Sequence, residues 1–148
     1  TRMRAAGLEV TVHDSVREAC RAADIIVTTT PSQTPILEAA DLPEGVHVTA
    51  MGSDSPDKRE LAESVLTRAD AFVCDTRPQS ESNGELKALA GREVPFKVHE
   101  LGAVIARGER LRLSDATITV CDLTGTGVQD TAIAGFALTR LSAEDSAR

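Results

Sequence analysis

The side chains best placed to do chemistry lie in Met51-Gly52-Ser53-Asp54-Ser55-Pro56-Asp57-Lys58. Asp54 follows a β-branched run and a glycine and precedes a Ser-Pro pair, the signature of a helix start with serine as cap and proline at the first helical position. A carboxylate there can serve as a turn or capping residue, or it can pass a proton to and from a bound substrate. Ser55 is the better cap, because proline prefers the position directly after it, and this leaves Asp54 free for proton transfer. Lys58 reads either as a helix-surface lysine or as a cation that neutralises a nearby carboxylate. A second segment, Asp122-Leu123-Thr124-Gly125-Thr126-Gly127, leads into a long helical stretch. Free backbone N–H groups at such a helix start suit a polar or anionic ligand group, although the glycines also permit a plain tight turn. Asp130, inside that helix, reads as a surface or supporting group.

Other chemistries find no support. His13, His47 and His99 have no metal-ligand spacing, and no CxxC or HxxxH occurs, so no metal site is expected. There is no GxSxG elbow and no Cys/His pairing for a nucleophile. Neither GxGxxG nor GxxxxGK[ST] occurs, so the chain carries no phosphate cradle of its own. Cys20, Cys74 and Cys121 are an odd set, which reads as reduced thiols in a cytoplasmic protein. A formal charge of -7 argues against nucleic acid and against anionic membranes as partners. No apolar run approaches the roughly 20 residues that cross a bilayer, and no signal-peptide core follows Arg2 and Arg4.

These residues must be positioned by a core poor in aromatics. Of 148 residues, 41% are hydrophobic and 2% aromatic, so one core of Val, Leu, Ile and Ala is expected, as in buried parallel strands and their covering helices. Strands are predicted at 8–12, 24–30, 46–51, 71–75 and 117–122. Helices are predicted from residue 14 or 15 to 22, at 36–38, from the Ser55 cap to 68, at 85–89 and at 101–105. A last helix beyond Gly127 carries Val128, Ala132 and Phe136 on one stripe and Ile133, Ala137 and Leu141 on the next. Alternating strands and helices imply an α/β, Rossmann-like parallel sheet flanked by helices. Residues 1–141 form that domain and 142–148 a frayed tail. In such sheets ligands bind outside the carboxyl ends of the strands. The rims to inspect are Thr28 to Ser32, Met51 to Asp54, Cys74 to Arg77 and Leu123 to Gly127.

Four segments in order carry a family resemblance: Thr30-Pro31-Ser32, Met51-Gly-Ser-Asp-Ser-Pro-Asp-Lys-Arg-Glu-Leu61, His99-Glu-Leu-Gly102 and Asp122-Leu-Thr-Gly-Thr-Gly-Val-Gln-Asp130. Together they resemble the ornithine cyclodeaminase/μ-crystallin family over nearly the whole chain, and the second and fourth are most similar to ectoine-utilisation members. The resemblance implies the C-terminal part of an NAD- or NADP-dependent cyclodeaminase acting on a small diamino acid. Its alternatives are a cyclic imine reductase, an amino-acid dehydrogenase, or a non-catalytic binder like μ-crystallin. In the cyclodeaminase version, hydride leaves the α-carbon for the nicotinamide, the side-chain amine attacks the imine, ammonia departs and the hydride returns. Asp54 would shuttle the proton at a substrate nitrogen. Thr29, Thr30 and Pro31 would flank the adenosine and ribose, with Met51 and Ser53 beside them, and Leu123 and Thr124 would meet the nicotinamide carboxamide. Full-length members are homodimers that take a small amino acid or cyclic imine. In the family a Gly-rich βαβ unit precedes the residue matching Thr1, so the chain is expected to begin inside a domain, with residues 1–7 as a helix tail. The chain alone is then expected to be inactive and, through its exposed strand edges, prone to self-association.

Overall fold

Short runs of β-branched and small apolar residues pair into one sheet. The strands are β1 (Ile25–Thr28), β2 (His47–Ala50), β3 (Ala71–Cys74), β4 (Val98–Glu100) and β5 (Thr119–Asp122). The structure, a computed structural model, describes residues 6–146. Every strand pair is parallel and the order is β1-β2-β5-β3-β4. The chain's last strand therefore returns to the middle of the sheet, between β2 and β3. Parallel pairing requires a crossover between successive strands. Helix α1 (Val16–Cys20) precedes β1, and the crossovers hold α2 (Glu63–Arg68), α3 (Arg77–Ser82) and α4 (Leu101–Arg107), with 3-10 turns at Ala39–Asp41 and Glu85–Leu89. Helix α5 (Gly127–Ser146) follows β5.

One sheet face carries the core. Val48, Ala50, Phe72, Cys74 and Val120 point there and pack on Leu37, Leu42, Val65, Leu66, Leu86 and Leu89, all buried. The opposite face shows half-buried His47, Thr49, Thr119 and Cys121. His47 is held there as a packed residue, its Nδ1 at 2.7 Å from Thr119 Oγ1 and its Nε2 at 3.1 Å from Thr49 Oγ1. Burial lowers its proton affinity, which keeps the ring neutral.

Several expectations need correction. Residues 8–12 form no strand; the segment is irregular, with Leu8 and Val12 exposed. Alternation alone does not make a strand without a ladder to join, and β1 ends the sheet with Ile25 and Val27 largely exposed. The helix expected from Ser55 begins only at Glu63. Ser55 to Lys58 make a single turn, in which Lys58 N–H donates to Ser55 O at 3.2 Å. Residues 59–62 then run extended, and Leu61 bridges Leu37 in parallel. Residues 36–38 are likewise extended rather than helical, and the turn of helix comes after them at Ala39–Asp41. Helix α3 and strand β4 were not among the predicted elements, and His99 lies on a strand rather than in a loop. The capping expectation at Ser15 holds: its hydroxyl accepts from Glu18 N–H at 3.2 Å. Helix α5 runs from Gly127 to Ser146. Its apolar stripes stay exposed, with Phe136 58% and Val128 72% accessible. The expected helix tail at 1–7 lies for residues 1–5 outside the described residues.

Candidate functional site at the carboxyl rims of the sheet

Sheet register decides which loops meet. Thr28, Ala50, Asp122 and Cys74 are partners across four adjacent strands. The ladder continues one step beyond them. Met51 N–H donates to Thr28 O at 2.9 Å, Leu123 N–H to Ala50 O at 2.8 Å and Asp75 N–H to Asp122 O at 3.3 Å. Thr29, Met51, Leu123 and Asp75 therefore leave the sheet side by side, about 5 Å apart per strand. Three of the expected segments, around Thr29-Thr30-Pro31, Met51 to Asp54 and Leu123-Thr124, form one continuous rim. Its centre offers exposed Met51 and half-buried Leu123 as an apolar floor, with the threonines at either side.

What binds the first two segments together is a residue that the sequence did not single out. Glu60 is fully buried. Its Oε1 accepts from Thr30 N–H at 2.5 Å and from Thr30 Oγ1 at 2.8 Å, while Oε2 accepts from Gly52 N–H at 2.8 Å. One carboxylate thus ties the end of β1 to the end of β2. This explains the extended run at 59–62: a helix from Ser55 would carry Glu60 away from the rim and leave those donors unpaired. The backbone at 60–61 is held in turn by Glu85, whose two oxygens accept from Glu60 N–H at 2.8 Å and Leu61 N–H at 3.1 Å. The only local hint was Gly52. A Cβ there would lie inside van der Waals contact of both Thr30 O and the Glu60 carboxylate. Gly52→Ala is accordingly expected to destabilise the fold by about 1–3 kcal/mol, the usual cost of overpacking. A urea unfolding curve measures this, and an unchanged midpoint would contradict the close approach.

Asp54 caps this arrangement. It is exposed on the loop after β2, and Lys58 Nζ donates to its Oδ1 at 2.7 Å. The hydrogen bond and charge of Lys58 hold the Asp54 carboxyl below the usual carboxylate range. Lys58 thus takes the neutralising role, not that of an idle surface lysine. Ser53 goes elsewhere: its side chain is buried, and its hydroxyl donates within reach of Lys58 O at 2.8 Å and Asn83 O at 3.1 Å. It offers no free hydroxyl to a cofactor in this conformation, so any contact from Ser53 would have to come from its backbone.

On the other side, Asp75 shapes the threonine-glycine turn. Its Oδ2 accepts from Gly125 N–H at 2.8 Å and, more weakly, from Thr124 Oγ1 at 3.4 Å. Asp130 is exposed on α5. Asp122, beneath the turn, is fully buried: Oδ2 accepts from Ser80 Oγ and from Glu85 N–H, the latter at 2.8 Å, whereas Oδ1 has no partner. Gly84 permits this approach, since a Cβ there would strike Asp122 Oδ2. Burial pushes the Asp122 carboxyl up to about 6 and that of Glu85 up to about 7.

These shifts set a sign for stability. Between the ordinary carboxylate range and pH 6 to 7, the folded chain holds protons that the unfolded chain has released. The contribution of both groups therefore falls as pH rises through that window. Relative to Asp122→Asn, the native sequence is expected to lose about 2 kcal/mol of stability between pH 4 and pH 8, taking 1.36 kcal/mol per unit for a carboxyl raised from 3.8 to about 6 and already partly ionised in the unfolded chain at pH 4. Urea titrations of both at the two pH values read the difference, and parallel changes would show that Asp122 ionises normally.

The same fold recurs in known proteins. An uncharacterized cyclodeaminase of Sinorhizobium fredii is 46% identical over 136 residues, 88% of this chain and 40% of its own length. An archaeal alanine dehydrogenase dimer with bound NAD superposes with a TM-score of 0.87 at 33% identity, covering 97% of this chain and 45% of its own. The iminosuccinate reductase of Paracoccus denitrificans in complex with NAD+ gives 0.82 at 35% identity, covering 97% and 44%. The chain thus spans less than half the length of these relatives. The model of the ornithine cyclodeaminase/mu-crystallin family matches residues 1–145. With a parallel sheet, an ordered set of rim segments and a family match across nearly its whole length, the chain belongs to the ornithine cyclodeaminase/mu-crystallin family.

Proposed function

We propose that this chain supplies the nicotinamide-side half of an NAD(P)-dependent enzyme that remakes a carbon–nitrogen bond in a small amino acid, with Asp54 moving the proton at the substrate nitrogen. The observation that carries this reading is the continuous rim, on which Asp54 stands exposed at the end of a central strand within one loop of both Thr30 and Thr124. The residues present fit such a cofactor. The apolar floor of Met51 and Leu123 suits a flat ring, and the close seat of Gly52 on Thr30 leaves the rim shallow. Thr29, Thr30 and Pro31 would line its ribose side, and Leu123 and Thr124 its carboxamide. When bound, the cofactor supplies a hydride acceptor or donor.

The chain's own contribution is acid–base chemistry and positioning. Asp54 rests as an anion beside Lys58 and is therefore ready to accept a proton from a substrate ammonium, which makes the nitrogen lone pair available as the neighbouring C–H bond is oxidised. In the reverse sense it returns that proton to nitrogen. The finer proposal is a cyclodeaminase for a small diamino acid of ectoine utilisation, with cyclic imine reduction as its alternative, in a cytoplasmic homodimer. The test is a turnover panel on the natural polypeptide that contains this chain, with NAD(H) and NADP(H). Ornithine and 2,4-diaminobutyrate probe ammonia release, L-alanine probes dehydrogenation, and 1-pyrroline-2-carboxylate probes imine reduction. Release of ammonia without net cofactor turnover identifies the cyclodeaminase, and net NAD(P)H consumption with the cyclic imine identifies the reductase. Cofactor binding without turnover on any of the four would leave a binder and refute the catalytic reading.

A further inference from the structure

Asp54 rides on a loop without regular structure, so something other than a backbone ladder must hold it. The residues from Ser53 to Lys58 contain one turn, and Asp54 N–H itself makes only a 3.2 Å bond to Gly52 O. Beneath the loop, from the 3-10 helix Glu85–Leu89, Lys87 projects its ammonium. Lys87 Nζ donates to Ser53 Oγ at 2.9 Å, to Ser55 O at 2.9 Å, to Lys58 O, and to Asn83 O at 2.8 Å. Three of these acceptors belong to the loop and flank Asp54 on both sides in sequence; the fourth anchors the ammonium to its own segment. Ser53 adds a cross-brace, because its hydroxyl reaches Lys58 O at 2.8 Å and Asn83 O at 3.1 Å. None of Lys87's hydrogen bonds goes to a carboxylate, so its charge is spent on neutral carbonyls and a hydroxyl, an unusual use for a half-buried lysine that could have reached solvent.

We propose that Lys87 is the positioning residue of the site: its ammonium clamps the Ser53–Lys58 loop in the shape that presents Asp54, paired with Lys58, to the rim. The clamp acts through several carbonyls at once, which no neutral side chain of that length can do. The charged groups around it are Glu85 and Asp122 below, Arg59 on the following stretch, and Asp54 and Asp57 on the loop. Burial lowers its proton affinity and Arg59 adds to that, while Glu85, Asp122 and Asp57 oppose the loss of its proton. Glu85 also reaches the loop's far end by holding Glu60 and Leu61, so Lys87 and Glu85, two residues apart, grip both ends of one segment.

This inference rests on the reading of Asp54 as the proton-transfer group, and a double-mutant cycle separates the two. In the natural polypeptide, assayed with the panel substrate it turns over best, Lys87→Met is expected to lower kcat by about 10- to 100-fold, the cost of misplacing a catalytic group by about an ångström. The NADH dissociation constant, read by fluorescence, is expected to stay within about threefold. In an Asp54→Asn background the same Lys87→Met change is expected to lower kcat by less than about threefold, because the group it positions is already gone. Lys87→Gln, which keeps a donor and nearly the same length, is the second variant and folds more readily; it is expected to lose about tenfold in kcat. Equal losses in both backgrounds, or a kcat loss matched by weaker NADH binding, would show a merely structural lysine and overturn the proposal. A full loss from Asp54→Asn with an unchanged Lys87→Met and Lys87→Gln would overturn it while leaving the reading of Asp54 intact. Wild-type turnover from Asp54→Asn would overturn both.

Discussion

Replacing Asp54 by Asn is expected to lower turnover by about 10²- to 10⁴-fold, the usual contribution of a positioned acid or base. The substitution keeps size and shape, and Asp54 is exposed, so neither the fold nor the apolar floor should change. The NADH dissociation constant is expected to remain within about threefold, since the effect falls on the reacting nitrogen rather than on the cofactor. Lys58 also loses its charge partner, and the 2.7 Å bond it makes now becomes a weaker one to a neutral amide oxygen. The pH profile provides an independent check. Because Lys58 holds the Asp54 carboxyl low, that carboxyl stays ionised until pH falls below the usual carboxylate range. Activity that depends on the anion is therefore lost only in quite acid solution. In Lys58→Met the carboxyl binds its proton more readily, and the acid limb of kcat/KM is expected to move to higher pH. An acid limb that stays in place would mean that some other group sets it.

The second large effect is expected from Glu60. Glu60→Ala removes an acceptor that serves Thr30 N–H, Thr30 Oγ1 and Gly52 N–H in a fully buried position. Each buried donor left without a partner costs about 1–3 kcal/mol; because Thr30 is only half-buried and water can reach its two donors in part, a total loss of about 3–5 kcal/mol is expected. Glu60→Gln is milder, at about 2 kcal/mol: its oxygen can serve Thr30, but its amide N–H₂ would then face the Gly52 N–H, donor against donor. The consequence for function differs from that of Asp54. The Thr29-Thr30 turn and the Asp54 loop lose their common anchor, so cofactor affinity and kcat are expected to fall together. Urea unfolding and NADH titration of Glu60→Gln measure both. A variant as stable as the native sequence would show that the carboxylate is not the link between the two rims.

Much of this site was legible in local sequence. The β-branched run before Thr30, the run before Met51 and the run ending at Asp122 each announced a buried parallel strand, and their carboxyl ends held the candidate residues. Asp54 stood out because Ser55 looked like the cap. That argument fails, since no helix starts at Ser55, and Asp54 stands as a candidate by its exposure on the loop after β2 instead. The supporting residues were illegible for a common cause. Glu60, Glu85, Asp122 and Lys87 act through polar contacts whose long-range partners lie 24 to 42 residues away. A lone charged residue leaves no periodic trace, and Glu60 in Arg59-Glu60-Leu61-Ala62 looked like the outer face of a helix. Strand β4 escaped notice because three residues are too few to show alternation, and residues 8–12 alternated without any neighbouring ladder to join.

The sequence by itself determined the class of fold, the family, and the three short segments that form the rim, because strand propensity, helix starts and motif order are local properties of the chain. Only the tertiary structure decided that β5 returns between β2 and β3 and so brings Leu123 and Thr124 beside Met51. It also decided that a buried glutamate and a half-buried lysine hold the Asp54 loop in place. The physical reason is that burial makes a polar group demand a partner wherever the fold has put one, and that partner is chosen by packing rather than by nearness along the chain.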